Sequence, residues 1–325
     1  MKTYLITGGA GFIGSTLADR LLLDGNQVIV VDNFNDYYDV SIKERNVAPH
    51  LTDNNYKLYR VDICDWNALE KVFEENHIDG IVHLAARAGV RPSIEDPILY
   101  QQTNNLGTNH ILELAKKYGV KNLVLASSSS VYGNNKKVPF KETDVVDFAI
   151  SPYAATKKSN EVLGHVYHAL YGMNMIFLRF FTVYGPRQRP DLAINKFTKL
   201  ILNDEPIPVF GDGSTSRDYT YIQDIINGII LSIQYVENHE NVYEIINLGE
   251  NTPITLLEMI QTIEKALGKK AKMNFLPMQL GDVNKTYADI TKAKKLLGYH
   301  PQTSFEEGIR NFVKWYKEEI FNECF

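Results

Sequence analysis

A glycine-rich turn near the start of the chain constrains the fold more than any other feature. The run Gly8-Gly9-Ala10-Gly11-Phe12-Ile13-Gly14 follows a short apolar segment, Leu5-Ile6-Thr7, and leads into a helix-like segment that ends near Asp24. Glycines at this spacing allow a tight turn and let the backbone approach a pyrophosphate. The N-terminus of the following helix then stabilises the charge of the phosphates. The sequence therefore predicts a dinucleotide-binding strand–turn–helix unit.

Asp32 supports this prediction and indicates which dinucleotide binds. It ends the apolar run Val28-Ile29-Val30-Val31, 18 positions after Gly14. A carboxylate at this place accepts hydrogen bonds from the adenosine ribose and repels the 2′-phosphate of NADP. We therefore expect NAD as the cofactor. The alternative, a plain turn with Asp32 in solvent, does not explain why strand, glycines, helix and acid occur together.

The pattern of apolar runs predicts an α/β fold. Up to Arg179, short apolar runs alternate with longer helix-like segments, which is typical of a Rossmann doubly wound parallel sheet with helices on both faces. The strands then become shorter after a charged loop at 185–191. We expect an NAD-binding domain at 1–180, elements around 219–247 that return to its sheet, and a smaller C-terminal α/β substrate domain at 181–325.

Composition excludes several classes of protein. The chain has 325 residues, 44% of them hydrophobic and 22% charged, as in an ordinary globular protein. A formal net charge of -5 gives no reason to expect nucleic acid or an anionic membrane as a partner. No apolar run approaches the ~20 residues of a membrane span. The two cysteines, Cys64 and Cys324, have no metal-like spacing, so we expect no metal, no disulfide framework and a cytoplasmic location.

A second motif, Tyr153-Ala154-Ala155-Thr156-Lys157, predicts proton transfer. Its spacing places the phenol and the ammonium on one face of a helix. A free tyrosine has a pKa of about 10, and a nearby ammonium lowers it by favouring the phenolate. Tyr153 can then take or return a hydroxyl proton while a hydride passes to or from the nicotinamide. The serine run at 127–130 ends a predicted strand at the edge where open α/β sheets bind ligands.

Over essentially its whole length, the chain resembles the extended short-chain dehydrogenase/reductases that act on nucleotide-sugars. The segments that carry the resemblance are 7–14, 83–86, 104–108, 127–133, 151–157, 179–186 and 211–221. By position, the resemblance implies a catalytic triad of Ser128, Tyr153 and Lys157. It implies that NAD contacts Gly8, Gly11, Phe12, Ile13, Gly14, Asp32, Asn33, Asn35, Asp62, Ile63, Leu84, Ala85, Ala86, Asn104, Tyr153 and Lys157. It also implies a homodimer formed through two helices of the Rossmann domain.

Within that family the chain is most similar to the UDP-glucuronate 4-epimerases. The similarity is carried by the segments 32–38, 88–91, 181–186 and 211–219. It implies a UDP-sugar site made of Arg91, Ser128, Ser129, Ser130, Thr182, Arg189, Asn195, Val209, Arg217, Gln279 and Asp282. By this similarity Arg217 pairs with the diphosphate and Asp282 binds the uridine ribose. Leu280 departs from the pattern, which has proline at that position.

The residues before Val131 indicate how the reaction continues after the oxidation at C4 that this family shares. Dehydratases of the family usually carry Asp-Glu there, and the decarboxylases that act on UDP-glucuronate carry Glu, but this chain has Ser129 and Ser130. Without a carboxylate in reach, removal of the C5 proton lacks its usual acid/base group. We therefore expect NAD-dependent C4 epimerisation of UDP-glucuronate to UDP-galacturonate through a transient 4-keto intermediate.

The C6 carboxylate of such a sugar needs a cation, and arginine can bind a carboxylate through two parallel hydrogen bonds. The resemblance points to Thr182 and Arg189 first, with Arg87 and Arg91 as either further candidates or solvated loop residues. Three rival functions stay open. They are a UDP-glucose/UDP-galactose 4-epimerase, a UDP-glucuronate decarboxylase or nucleotide-sugar 4,6-dehydratase, and a non-catalytic protein that senses NAD on the same fold. Arg189 disfavours the first, the serine pair the second and the intact triad the third.

Overall fold

The structure is a computed structural model that describes residues 1–277 and 285–321. Its strands and helices position the site. The strands are β1 (Thr3–Thr7), β2 (Gln27–Asp32), β3 (Tyr56–Arg60), β4 (Gly80–His83), β5 (Asn122–Ser128), β6 (Asn174–Phe180), β7 (Thr182–Tyr184), β8 (Pro206–Phe210), β9 (Ser216–Tyr221), β10 (Tyr243–Leu248), β11 (Pro253–Thr255) and β12 (Lys272–Leu276).

Helices connect these strands throughout the described residues. They are α1 (Phe12–Leu23), α2 (Val40–Val47), α3 (Trp66–Glu74), α4 (Val90–Glu95), α5 (Pro97–Tyr100), α6 (Gly107–Lys117), α7 (Pro152–Tyr171), α8 (Ala193–Leu202), α9 (Ile222–Asn238), α10 (Leu256–Leu267), α11 (Thr291–Leu297) and α12 (Phe305–Trp315). Single 3₁₀ turns cover Ala48–His50 and Ser129–Tyr132, and π-helical turns cover Gln101–Leu106 and Tyr316–Phe321. In the parts of the chain that the structure describes, no helix has the length and apolar character that crossing a membrane requires.

Seven strands form one central sheet in the order β10-β6-β5-β4-β1-β2-β3, and every neighbouring pair is parallel. The strand order reverses at β1, which pairs with β2 on one side and β4 on the other. Ligands of open α/β sheets bind beyond the carboxyl ends of the strands at such a reversal. The predicted α/β Rossmann fold is confirmed, and the glycine turn lies at that point of the sheet.

The second half of the chain contributes both to this sheet and to smaller ones. β10 pairs with β6, and α9 packs against β5 and β6, so part of the region predicted to return does so. β9 instead lies in a three-stranded sheet with β7 and β11, while β8 and β12 form a separate pair. The strands of these small sheets all fall within 181–325, the range in which the sequence predicts a substrate domain.

Helix α7 begins in a way that fixes the Tyr–Lys motif. The Ser151 side chain caps its N-terminus by accepting a hydrogen bond from the Ala154 backbone N–H at 3.1 Å. Pro152 takes the first helical position, where its missing N–H costs nothing. Tyr153 therefore lies in the first turn of the helix, and Lys157 lies one turn further along.

A buried ion pair joins α7 to the central sheet. The Nε and Nη2 atoms of Arg179 in β6 donate to the two carboxylate oxygens of Glu161 in α7, each at 2.8 Å. Both side chains are only 1% exposed. Ser127 Oγ, at the end of β5, donates to the same carboxylate at 2.7 Å. The pair thus connects α7, β5 and β6 at the first residue of the serine run.

Candidate functional site

A cavity of about 380 Å³ opens at the carboxyl edge of the central sheet. All predicted cofactor residues except one line it, namely Gly8, Gly11, Phe12, Ile13, Gly14, Asp32, Asn33, Asn35, Asp62, Ile63, Leu84, Ala85, Ala86, Tyr153 and Lys157. We call this the dinucleotide pocket. The exception is Asn104, which is 1% exposed below the pocket wall. Its amide accepts a hydrogen bond from the Arg87 backbone N–H and donates to Thr156 Oγ1, at 2.8 and 3.0 Å, so Asn104 supports the wall from behind.

The glycine turn leaves room for a ligand where side chains would not. Gly8 has a φ of +70°, and a Cβ there would lie 2.8 Å from the backbone nitrogen of Ala85. A Cβ on Gly14 would lie 2.3 Å from the carbonyl oxygen of Gly8. Helix α1 begins after Gly11 with no side-chain cap, so its first N–H groups remain for an anion. The turn fits the pyrophosphate of a dinucleotide.

Asp32 is held in place from three directions. Its Oδ2 accepts from the Ala10 backbone N–H at 3.2 Å, and its Oδ1 accepts from the Phe34 N–H at 2.9 Å and from Lys43 Nζ at 3.3 Å. Lys43 also lines the pocket, and its side chain is 5% exposed. We did not predict Lys43 as a site residue, because nothing distinguishes it from an ordinary surface lysine of an amphipathic helix.

The carboxylate of Asp62 is also oriented before any ligand binds. Asn33 Nδ2 donates to its Oδ2, and the Cys64 N–H donates to its Oδ1, each at 2.8 Å. Burial raises the pKa of Asp62, but these hydrogen bonds outweigh burial and hold the pKa below its usual value. Asp62 is therefore a charged acceptor at neutral pH.

The three predicted catalytic side chains meet in the dinucleotide pocket. Ser128 ends β5, and its Oγ accepts from the N–H of Ser130 at 3.2 Å and from Ser130 Oγ at 2.9 Å. Lys157 Nζ donates to the carbonyl oxygen of Ala126 at 2.8 Å and lies 6.0 Å from the centre of the Tyr153 ring. Ser128, Tyr153 and Lys157 thus line the same part of the pocket, at the carboxyl end of β5.

The electrostatics of this group differ from the expectation in one respect. Burial raises the pKa of Tyr153, while hydrogen bonding to Ser128 and the positive charge of Arg189 oppose the rise. Burial lowers the pKa of Lys157 to about 8. We expected Lys157 to lower the pKa of Tyr153 below its free value. Instead burial dominates, and the cation that acts on the phenol is Arg189.

Arg189 and Tyr37 form one wall of the pocket. The Nε and Nη2 atoms of Arg189 donate to Asp191 Oδ1 and Oδ2 at 2.9 and 2.7 Å. The guanidinium carbon lies 5.2 Å from the centre of the Tyr37 ring. Tyr37 Oη donates to the carbonyl oxygen of Ala88 at 2.9 Å, and Tyr100 Oη donates to the same oxygen at 2.8 Å. Tyr37 was not among the predicted site residues, although its segment carries part of the resemblance.

The predicted substrate residues divide into three groups. Ser128, Thr182 and Arg189 line the dinucleotide pocket. The remaining described members, Arg91, Ser129, Ser130, Asn195, Val209 and Arg217, are not among its lining residues. Gln279 and Asp282, like Leu280, lie outside the described residues, so their predicted contacts with the nucleotide stay predictions.

Two of the residues outside the pocket have informative neighbours. The guanidinium carbon of Arg91 lies 5.8 Å from the ring centre of Phe210, which comes directly after Val209 in β8. Asn195 Nδ2 donates to the carbonyl oxygen of Gln188 at 2.6 Å and lines a second cavity of about 860 Å³ beside α1 and α2. Arg91 is thus near the strand that carries Val209, whereas Asn195 faces a different cavity from the catalytic group.

The chain matches known proteins over nearly its whole length. Residues 5–312 match the family described as GDP-mannose 4,6 dehydratase. A UDP-glucuronate 4-epimerase of Thermodesulfobacterium geofontis is 48% identical over 321 residues, which is 98% of each chain. The crystal structure of a UDP-glucuronic acid 4-epimerase from Bacillus cereus, in complex with UDP-glucuronic acid and NAD, matches with a TM-score of 0.90 and 36% identity, over 97% of this chain and 99% of that one. A UDP-glucose 4-epimerase from Thermotoga maritima, solved with UDP-glucose, matches with a TM-score of 0.88 and 34% identity, over the same shares.

The lowered pKa of Lys157 predicts how protein stability depends on pH. Between about 8 and 10.5 the unfolded chain holds a proton on this lysine that the folded chain has released, so the free energy of unfolding should rise with pH. Replacing Lys157 with Met should remove this rise, which amounts to at most about 3 kcal/mol. Urea unfolding of both proteins across this range measures it. Lys158→Met, at the partly exposed neighbouring lysine, is the control. A constant difference between wild type and Lys157→Met would contradict the prediction.

Proposed function

This chain belongs to the nucleotide-sugar branch of the extended short-chain dehydrogenase/reductases, and we infer from that premise that it interconverts UDP-glucuronate and UDP-galacturonate by NAD-dependent epimerisation at C4. One observation carries the inference. The dinucleotide turn, the group of Ser128, Tyr153 and Lys157, and the guanidinium of Arg189 line a single pocket. Oxidation of a hydroxyl needs the dinucleotide and the group of Ser128, Tyr153 and Lys157, and binding of a sugar carboxylate needs the guanidinium.

The residues around the turn fit NAD. Gly8 and Gly14 leave the space in which a Cβ would collide with backbone, and Asp32 presents a fixed carboxylate for the ribose hydroxyls. NAD bound there supplies an acceptor, and afterwards a donor, for the hydride of C4. Because the hydride returns to the sugar, no net oxidation occurs and the cofactor has no reason to leave.

Tyr153 is the group that moves the proton of the C4 hydroxyl. Its phenol hydrogen bonds with Ser128, whose hydroxyl is itself held by the N–H of Ser130. The charge of Arg189 stabilises the phenolate, and the buried ammonium of Lys157 lies on the same side of α7. Ser128 and Arg189 oppose the rise that burial causes in the pKa of Tyr153 and so favour the phenolate, which accepts the proton when the 4-keto sugar forms and returns it after the sugar has presented its other face.

The position of the carboxylates argues against elimination and decarboxylation. Among the described residues that line the dinucleotide pocket, the carboxylates are Asp32, at the end of β2, and Asp62, two residues after β3. Ser129 and Ser130, where the dehydratases carry acids, form a 3₁₀ turn directly after β5. The described residues that line this pocket thus place no carboxylate beside Tyr153 to remove the C5 proton.

Arg189 distinguishes a charged sugar from a neutral one. Its side chain is 18% exposed and close enough to Tyr153 to influence the pKa of the phenol. A guanidinium in a partly desolvated pocket favours a carboxylate at C6 over the hydroxymethyl group of UDP-glucose. This supports the glucuronate assignment over the neutral epimerase.

We also propose that two copies of the chain associate through α7 and the segment before α6. Val162, Val166 and Leu170 succeed each other at helical spacing on α7 and are 55%, 42% and 65% exposed. Ile98 and Leu106, on elements that pack against α7, are 65% and 44% exposed. An apolar face on two adjacent helical elements suits a symmetric interface with a second copy.

The organisation and location of the protein are further parts of the proposal. β1 to β6 belong to an NAD-binding unit at 1–180 whose sheet the returning β10 completes, and the smaller sheets support a nucleotide-sugar unit at 181–325. A cytoplasmic location rests on the sparse cysteine usage. Burial, together with the nearby Asp62, raises the pKa of the Cys64 thiol to about 12, which suits a thiol that stays unreactive.

Replacing Tyr153 with Phe tests the reaction itself. Wild-type protein incubated with UDP-glucuronate should yield UDP-galacturonate, monitored by NMR, and the variant should lose about 10²–10⁴-fold in turnover because the proton carrier is gone. Both proteins should release the same amount of NAD on denaturation, which shows that the pocket is intact. A UDP-pentose product would indicate decarboxylation, and near-normal turnover by the variant would mean that another group moves the proton.

Replacing Arg189 with Ala tests the choice of sugar. Leaving the C6 carboxylate unpaired in a partly desolvated pocket costs about 2–5 kcal/mol, which is roughly 30- to several-thousand-fold in catalytic efficiency. The loss should be larger for UDP-glucuronate than for UDP-glucose, because UDP-glucose loses only the effect of Arg189 on the Tyr153 phenolate. Arg187→Ala is the matched control, since this arginine of the same loop pairs with Asp19 outside the pocket. An unchanged ratio of kcat/KM for the two sugars would show that Arg189 does not bind the carboxylate.

Replacing Val166 with Glu tests the dimer. A charge in the middle of the apolar face of α7 should convert a dimer into a monomer, because burying it unpaired is strongly unfavourable. Analytical ultracentrifugation of wild type and variant measures the change. Leu51→Glu, at an apolar residue that is 54% exposed elsewhere, should leave the mass unaltered. A monomeric wild type would refute the interface.

A further inference from the structure

We propose that Asp191 determines how strongly the enzyme prefers a charged sugar. Asp191 binds the Nε and Nη2 atoms of Arg189, and the other N–H groups of Arg189 are left for the substrate carboxylate. This proposal rests on the function proposed above. Asp191 is a positioning residue in this account, since it acts on the substrate through Arg189.

The hydrogen bonds show which part of the guanidinium is occupied. Arg189 Nε donates to Asp191 Oδ1 at 2.9 Å, and Nη2 donates to Oδ2 at 2.7 Å. A guanidinium has five N–H donors in a fixed plane. This pairing takes one edge and leaves the edge formed by Nη1 and the second Nη2 hydrogen. That second edge has the geometry to bind another carboxylate with two parallel hydrogen bonds.

A second contact restrains the same guanidinium. Its central carbon lies 5.2 Å from the centre of the Tyr37 ring. Tyr37 is itself held, because its hydroxyl donates to the carbonyl oxygen of Ala88 at 2.9 Å. Asp191 thus holds one edge of the guanidinium and the Tyr37 ring lies beside it, so a long and otherwise flexible side chain is restrained in two ways. An oriented guanidinium loses little further freedom when it binds the sugar.

Asp191 also exerts an opposing effect, because its negative charge repels the substrate carboxylate. The exposure of the two side chains decides which effect is larger. Asp191 is 46% exposed, so water screens its charge, whereas Arg189 is 18% exposed. The hydrogen bonds from Nε and Nη2 act at contact distance and are screened much less. Orientation therefore outweighs repulsion, and removing Asp191 should weaken the preference for the charged sugar.

Two substitutions separate orientation from charge. In Asp191→Ala the guanidinium loses both hydrogen bonds, and the kcat/KM for UDP-glucuronate divided by that for UDP-glucose should fall roughly 10- to 100-fold. In Asp191→Asn the side-chain carbonyl still accepts one bond from Arg189, so the ratio should lie between those of wild type and Asp191→Ala. The NAD content should stay unchanged in both, which a loss of folding would not allow. Asp204→Ala, at an exposed aspartate paired with Lys269, is the matched control.

The outcomes distinguish this proposal from the proposed function. A ratio that rises in both variants would overturn the proposal and show that repulsion by Asp191 dominates. A ratio unchanged in both, while Arg189→Ala abolishes the preference, would overturn the role of Asp191 and leave the proposed function standing. A wild type that prefers UDP-glucose would refute the glucuronate assignment itself, and the role of Asp191 with it.

Discussion

The buried pair of Glu161 and Arg179 is the interaction on which the catalytic geometry depends. It joins α7, which carries the Tyr–Lys motif, to β6, and through Ser127 to the end of β5. Such a pair resists separation because the partner left behind would be an unpaired buried charge, at a cost of about 3–5 kcal/mol. The relative position of the Tyr153 phenol and the Ser128 hydroxyl is therefore set by an ion pair that touches neither of them.

Much of this arrangement could be predicted because its signals are local. The glycine turn, the Asp32 position and the helix that carries Tyr153 and Lys157 each depend on residues within one strand–turn–helix unit, so spacing alone indicates them. The alternation of strands and helices likewise predicts the parallel sheet. Lys43 could not be found in this way. It reaches Asp32 from a separate helix, across a loop whose path the sequence does not specify.

Electrostatic roles were harder to predict than positions. The spacing of Tyr153 and Lys157 indicates that the two are neighbours, but it does not reveal how deeply the phenol is buried or that Arg189 approaches it. Choosing among Arg87, Arg91 and Arg189 also requires the fold, because Arg87 and Arg189 both line the dinucleotide pocket and differ in which group they act on, Asp62 for Arg87 and Tyr153 for Arg189. In the charged loop at 185–191, Arg187 adopts a φ of +68° and pairs with Asp19, whereas Arg189, two residues later, faces the pocket.

The carbonyl oxygen of Ala88 accepts hydrogen bonds from two tyrosines of different origin. Tyr37 belongs to the segment after β2 that also carries Asn33 and Asn35, two of the predicted cofactor residues, while the Tyr100 ring meets the Tyr153 ring edge-on at 6.2 Å. One peptide group therefore links the segment after β2 to the Tyr153 phenol. Because the two hydroxyls share one oxygen, a shift of the Ala88 peptide would move the ring beside Arg189 and the ring beside Tyr153 together. The placement of the guanidinium and that of the phenol are thus coupled through a main-chain atom that no side-chain substitution removes.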